Sequence, residues 1–78
     1  MEAKVGVDQI FTKALENHKS RKYSEAIRLY KAVLMKNPKH LDANYLLGTA
    51  YAETGKLEEA MKFLLKAEKM VPVRHLFR

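Results

Sequence analysis

The chain has no cysteine. Disulfides, thiolate metal sites and cysteine nucleophiles are therefore excluded. A cysteine-free chain suits a reducing compartment, so a cytoplasmic location is expected. There are only three glycines, all isolated, and two prolines. A phosphate-cradling loop needs clustered glycines whose backbone N–H groups converge, and no such cluster is present. Long apolar runs are missing too. Nothing approaches the ~18 consecutive apolar residues of a membrane span. The opening stretch MEAKVGVDQIF lacks the apolar segment of a secretory signal. The three histidines, His18, His40 and His75, fall on three different elements. None has a carboxylate at a ligand spacing on its own face, so no metal or other cofactor is expected. Ser20 and Ser24 lack the strand-turn-helix setting of a nucleophilic serine. These absences leave no catalytic constellation, and enzyme activity is not expected.

What is present is charge and period. Fifteen basic residues against nine acidic ones give a formal charge of +6, which favours solubility and mild attraction to acidic partners. Lys19, Arg21 and Lys22 cluster at one point, and the other basic residues interleave with Glu25, Glu58, Glu59 and Glu68. Such spacing describes solvated helix faces. No aromatic stacking platform accompanies them, as single-strand binding needs, so nucleic-acid binding is not expected.

The period is 34 residues. Shifting Asn37 to Pro72 back by 34 lays Asp42 on Asp8, Tyr45 on Phe11, Gly48 on Ala14 and Lys56 on Lys22. It also lays Glu59 on Glu25, Ala60 on Ala26, Met61 on Ile27, Leu64 on Tyr30 and Pro72 on Pro38. A fixed self-match of this length marks a helix-turn-helix repeat array. The expected class is all-α: an α-solenoid of two antiparallel helix-turn-helix repeats, four helices in all, in one domain over 1–78. Repeat one spans 7–40, repeat two 41–74, and an apolar tail 71–78.

Met1 to Gly6 reads as a lead-in. Asp8 is the expected N-cap of a first helix over about 8–20, with Ile10, Phe11, Ala14, Leu15 and His18 on one face. Arg21-Lys22-Tyr23 then forms a turn whose counterpart is Gly55-Lys56-Leu57. Gly55 suits the left-handed residue that closes a helix. Arg21 must adopt the same conformation with a Cβ, at about 1 kcal/mol, so the first turn is expected to be looser. Ser24 is the expected cap of a second helix running to Lys36, where Pro38 ends it. Its apolar face is Ala26, Ile27, Leu29, Tyr30, Val33 and Leu34. The third helix covers about 40–53. Gly48 sits inside it, at a cost of ~1 kcal/mol against alanine, which implies close approach of a paired helix at Gly48 and Ala60. The fourth helix covers 57–70, with Leu57, Ala60, Met61, Phe63, Leu64 and Ala67 as its expected buried side.

In the 34-residue frame, residues 41–74 resemble a tetratricopeptide repeat through Leu47, Gly48, Tyr51, Gly55, Ala60, Leu64, Ala67 and Pro72. Asn44 stands where the family often has tryptophan. Residues 7–40 resemble it through Ile10, Ala14, Tyr23, Ala26, Tyr30 and Pro38, while Lys13, Asn17 and Arg21 depart from it. The resemblance implies a right-handed superhelical stack and a protein–protein interaction role: a scaffold or adaptor holding a peptide or partner helix in a concave groove. Groove positions carried over from the family are Asp8, Phe11, Leu15, His18 and Lys19 in repeat one. In repeat two they are Asp42, Tyr45, Thr49, Ala52 and Glu53. The subtype that clamps chaperone C-termini is not implied, because Phe11, Leu15 and Leu46 occupy its polar positions. An alternative is the targeting arm of a larger enzyme, such as a repeat-bearing transferase. Two repeats fall short of the three or so that a stack usually needs. Self-association is therefore expected, through the fourth helix or the apolar Val71–Phe77 tail, including by exchange of helices.

Overall fold

A computed structural model describes residues 6–70. Four helices follow one another: α1 (Val7–Lys19), α2 (Tyr23–Lys36), α3 (Leu41–Glu53) and α4 (Leu57–Met70). Each packs on the next, with α2 between α1 and α3. The all-α helical-repeat architecture is as expected. The tail Val71–Phe77, with Pro72 and His75, lies outside the described residues, as do Met1 to Val5.

Local chemistry explains where each helix starts, and it corrects two expected caps. The N-cap of α1 is Gly6 rather than Asp8. Its carbonyl accepts from the Gln9 and Ile10 amides, and its own N–H donates to the Gln9 side-chain oxygen at 3.2 Å. Gln9 thus does from inside the helix what Asp8 was expected to do from its edge. Asp8 instead lies in the first turn, where a carboxylate meets the positive end of the helix dipole. Ser24 is not a cap either. Lys22 holds that position, its carbonyl accepting from Ala26 N–H at 3.0 Å, and no side chain caps α2. The tight preceding turn delivers the chain to helical geometry at Tyr23, two residues before the start that a Ser24 cap would require.

The two intra-pair turns share one hydrogen-bond scheme. After α1, Lys22 N–H donates to Asn17 O at 2.8 Å and Arg21 N–H to His18 O at 3.0 Å. After α3, Lys56 N–H donates to Tyr51 O at 2.9 Å and Gly55 N–H to Ala52 O at 3.0 Å. Both are six-to-one and five-to-two closures around a left-handed residue. Gly55 has φ 81°, and Arg21 has φ 64° despite its Cβ, as the alignment of the repeats requires.

Between α2 and α3 the latch is polar. His40 caps α3 by accepting from Ala43 N–H at its Nδ1, 3.0 Å away. Asn44 is fully buried, and its Nδ2 donates to the carbonyls of Pro38 (3.1 Å) and His40 (2.9 Å). Its Oδ1 has no hydrogen-bond partner among the described residues.

The core is a run of small residues wedged by a few large ones. Ala14, Ala26, Ala43, Ala50 and Ala60 let backbones approach, while Tyr30, Val33, Leu47 and Tyr51 fill the spaces. Gly48 marks a close crossing, as expected. A Cβ placed there would sit 2.7 Å from Leu64 Cγ and 3.1 Å from Ala60 O.

One expected face is wrong. Leu57 and Met61 are 64% and 60% exposed, not buried. The inward face of α4 is Ala60, Phe63, Leu64 and Ala67. Leu57 and Met61 join Leu65, also exposed, in a second apolar line at four-residue spacing.

Candidate partner-binding groove

The ten carried-over groove positions lie in two stripes, one on α1 and one on α3, at spacings of three and four that keep each on a single helix face. The stripes differ in how free they are. On α1, Asp8 and Lys19 are exposed, whereas Phe11, Leu15 and His18 are half-buried. The Phe11 ring tilts onto His40 with centroids 4.8 Å apart and onto Tyr30 at 6.0 Å. His18 stands edge-on to Tyr23 and Tyr30, and its Nδ1 shares a 2.9 Å hydrogen bond with the Tyr30 hydroxyl. Phe11 and His18 are thus tied into the aromatic packing around Tyr30. Burial of Tyr30 pushes its phenol up to about 12, which keeps the hydroxyl neutral at physiological pH.

On α3 the stripe is open. Tyr45 is 55% exposed, Asp42, Ala52 and Glu53 are exposed, and Thr49 is half-buried. The Thr49 hydroxyl donates to Tyr45 O at 3.0 Å, which leaves its lone pairs for an incoming donor. Phe11 of the α1 stripe meets His40, the N-cap of α3, which is not itself one of the ten positions.

Residues outside the ten expected groove positions complete the surface. Leu41, Leu64, Ala67 and Glu68 join Asp42 and Tyr45 around a hollow of about 470 Å³ between α3 and α4. That is room for one or two bulky side chains. Leu41 falls at a helix boundary, where patterns carry little information. Leu64 reads as core in the sequence, although half of its role is to floor this hollow.

Among the described residues, no three His, Asp or Glu side chains gather in a way that would hold a metal. No helix there is long and apolar enough to cross a membrane. The charged groups are mostly solvated. The Arg28–Glu25 pair is exposed, and the hydrogen bond from Arg28 holds the Glu25 carboxyl below its usual range.

Four short helices, closed in pairs by matching turns and presenting a side-chain stripe rather than a cleft, define a helical-repeat surface. A family model for the tetratricopeptide repeat matches residues 17–74, and the chain belongs to that family. Such repeats generally mediate protein–protein interaction. The comparison with curated proteins returned no match.

Proposed function

We propose that the chain is a scaffold or adaptor module, one domain of two repeats over 7–40 and 41–74. It binds an extended peptide or a partner helix along the α1–α3 face and works in the cytoplasm. The observation that carries this reading is Tyr45, a half-exposed aromatic ring on the first helix of the second pair, beside the Leu41–Leu64 hollow. A tyrosine with an apolar floor beside it is the type of anchor that contributes most to an interface. Asp8 and Asp42 stand in the first turns of α1 and α3 and favour a basic residue next to the ligand's apolar side chain. The reading extends to self-association through α4, whose outer line of large apolar side chains has no cover among the described residues.

Screening a displayed random-peptide library tests the groove. Ligands selected on the unaltered chain are expected to lose roughly tenfold or more in affinity for Tyr45→Ala, as hot-spot truncation does. Phe11 is unsuitable as the test position, because its ring is part of the packing around Tyr30. Ligands that bind Tyr45→Ala unchanged would remove the groove.

A further inference from the structure

Exposed apolar surface is unevenly shared. Among the described residues, Leu41, Tyr45, Leu57, Met61 and Leu65 of α3 and α4 are exposed large hydrophobics, and Met35 is the one such residue outside those two helices. Leu57, Met61 and Leu65 form a line along α4 at i, i+4 and i+8, a face built to meet another helix. A hollow between α1 and α2 is lined by Asp8, Gln9, Thr12, Lys13 and Glu16 around Ile10 and Leu29. Head-to-tail stacking would set the apolar line against a hollow rimmed by the charged groups of Asp8, Lys13 and Glu16. Like-on-like contact buries apolar against apolar, which requires a twofold axis.

Charge selects the direction of that contact. The first turn of α4 carries Glu58 and Glu59, and its last turn carries Lys69. Lys62 and Lys66 follow Glu58 at four-residue steps along one flank of the apolar line. In a parallel pair the twofold axis runs along the helices, so the Glu58–Lys62–Lys66 flank of each copy would face the Ala60–Leu64 side of the other, where it meets no opposite charge. An antiparallel pair sets Glu58 of each copy beside Lys62 and Lys66 of the other, and it also opposes the helix dipoles.

We propose that the Leu57–Met61–Leu65 line of α4 pairs antiparallel with the same line of a second copy of this chain, across a twofold axis at Met61. Leu57 of each copy then lies against Leu65 of the other, with the Glu58 and lysine contacts along the flank. This rests on the self-association reading above and specifies its geometry.

Two experiments on the full chain separate the pairing from that broader reading. Sedimentation equilibrium on the unaltered chain is expected to show a reversible dimer. A monomer at high concentration, including one in which residues 71–78 of the same chain cover the line, overturns both. The chain has no cysteine, so Met61→Cys introduces a single thiol at the axis. Mild oxidation should convert it to a covalent dimer in roughly tenfold higher yield than Met35→Cys, since a disulfide needs Cβ atoms within about 4.5 Å. Both positions are exposed, and circular dichroism checks that each variant keeps its helices. A dimer in which Met61→Cys links no faster than Met35→Cys leaves self-association standing and overturns the pairing. Glu58→Lys should weaken the dimer about tenfold, by turning attraction into repulsion at both ends. Mixing it with Lys62→Glu/Lys66→Glu chains should restore association, and failure of the mixture to associate also overturns the pairing.

Discussion

The two helix pairs solve one packing problem differently. In the second pair, the crossing closes on absence: Gly48 has no Cβ, and Leu64 and Ala60 O move into the space. Gly55 turns the chain without strain. In the first pair, alanine replaces that glycine at position 14, arginine replaces the turn glycine at position 21, and an aromatic group occupies the middle. Tyr30 is fully buried and bonded to His18, with Phe11 and Tyr23 packed around the two rings. The difference shows what a repeat code specifies. It fixes which positions are small and which are large. The sizes trade off within each pair, provided the two helices still meet.

The strongest way to break this comparison is to truncate the large member of each pair. Tyr30→Ala removes a fully buried ring and should cost about 4 kcal/mol, within the range for aromatic-to-alanine changes. A domain of this size has only a few kcal/mol of net stability. The first pair should therefore lose its helices, visible as a large fall in far-ultraviolet circular dichroism. Leu64→Ala, at the matching position 34 residues on, removes a half-buried side chain and should cost about 2 kcal/mol. Equal losses would mean that the aromatic centre of the first pair has no special weight.

Alkali should act on the first pair through Tyr30. The phenol of Tyr30 is raised to about 12 by burial, whereas in the unfolded chain it titrates near its ordinary value of about 10. A raised folded value contributes stability that is complete below pH ~10 and is lost as pH climbs toward ~12. Two units amount to roughly 3 kcal/mol at full extent. Urea denaturation at pH 9 and pH 11.5 should show this loss, and Tyr30→Phe, which has nothing to ionise, should flatten much of it. An equally steep fall in Tyr30→Phe would trace the alkaline loss to the lysines instead.

Close approach in the second pair is tested by one methyl group. Gly48→Ala gains up to ~1 kcal/mol in helix propensity. Its Cβ would nevertheless meet the Leu64 branch point at 2.7 Å and a backbone carbonyl at 3.1 Å. Overpacking should win, for a net loss of about 2 kcal/mol. The reciprocal Ala14→Gly removes a buried methyl and should cost about 1 kcal/mol. A stabilised Gly48→Ala variant would show that Leu64 can swing aside.

Much of this fold is legible because a 34-residue period repeats its own punctuation. Pro38 ends the second helix, and Arg21 has to match Gly55 in conformation. Gly48 points at Ala60 before any distance is known. Caps are less legible. A favourable residue type such as Asp8 or Ser24 shows that a cap can be built nearby. The backbone decides which residue holds it, and Gln9 and the turn at Arg21 move each start. Leu57 and Met61 escape the pattern for a different reason. Two apolar lines one residue apart, 57-61-65 and 60-64-67, blur into one wide stripe, and periodicity alone does not say that the outer line lacks cover. The groove is legible as positions, but not in how far each side chain is free. Phe11 and His18 carry the same periodic mark as Tyr45, and only packing shows that their rings are bound to Tyr30.

The smallest expected effect asks whether the two turns differ in anything except a Cβ. Both close with the same hydrogen bonds, and both central residues sit at positive φ, 64° at Arg21 and 81° at Gly55. A Cβ built at Gly55 meets nothing within 4 Å, so no clash confuses the outcome there. Arg21→Gly relieves left-handed strain of about 1–2 kcal/mol but gives the unfolded chain more freedom, so the net gain should be roughly 0.5–1 kcal/mol. For a domain of this size that is a rise of about 3–6 °C in Tm. Gly55→Arg should lose a similar amount. The double exchange should return close to the starting stability, because it moves one strained residue from one turn to the other. A double variant well below the parent would show that the turns are not interchangeable, and that Arg21 is retained for contacts its neighbours make with it. A double variant at parity would reduce the contrast between the pairs to their interiors, where Tyr30 and Gly48 stand.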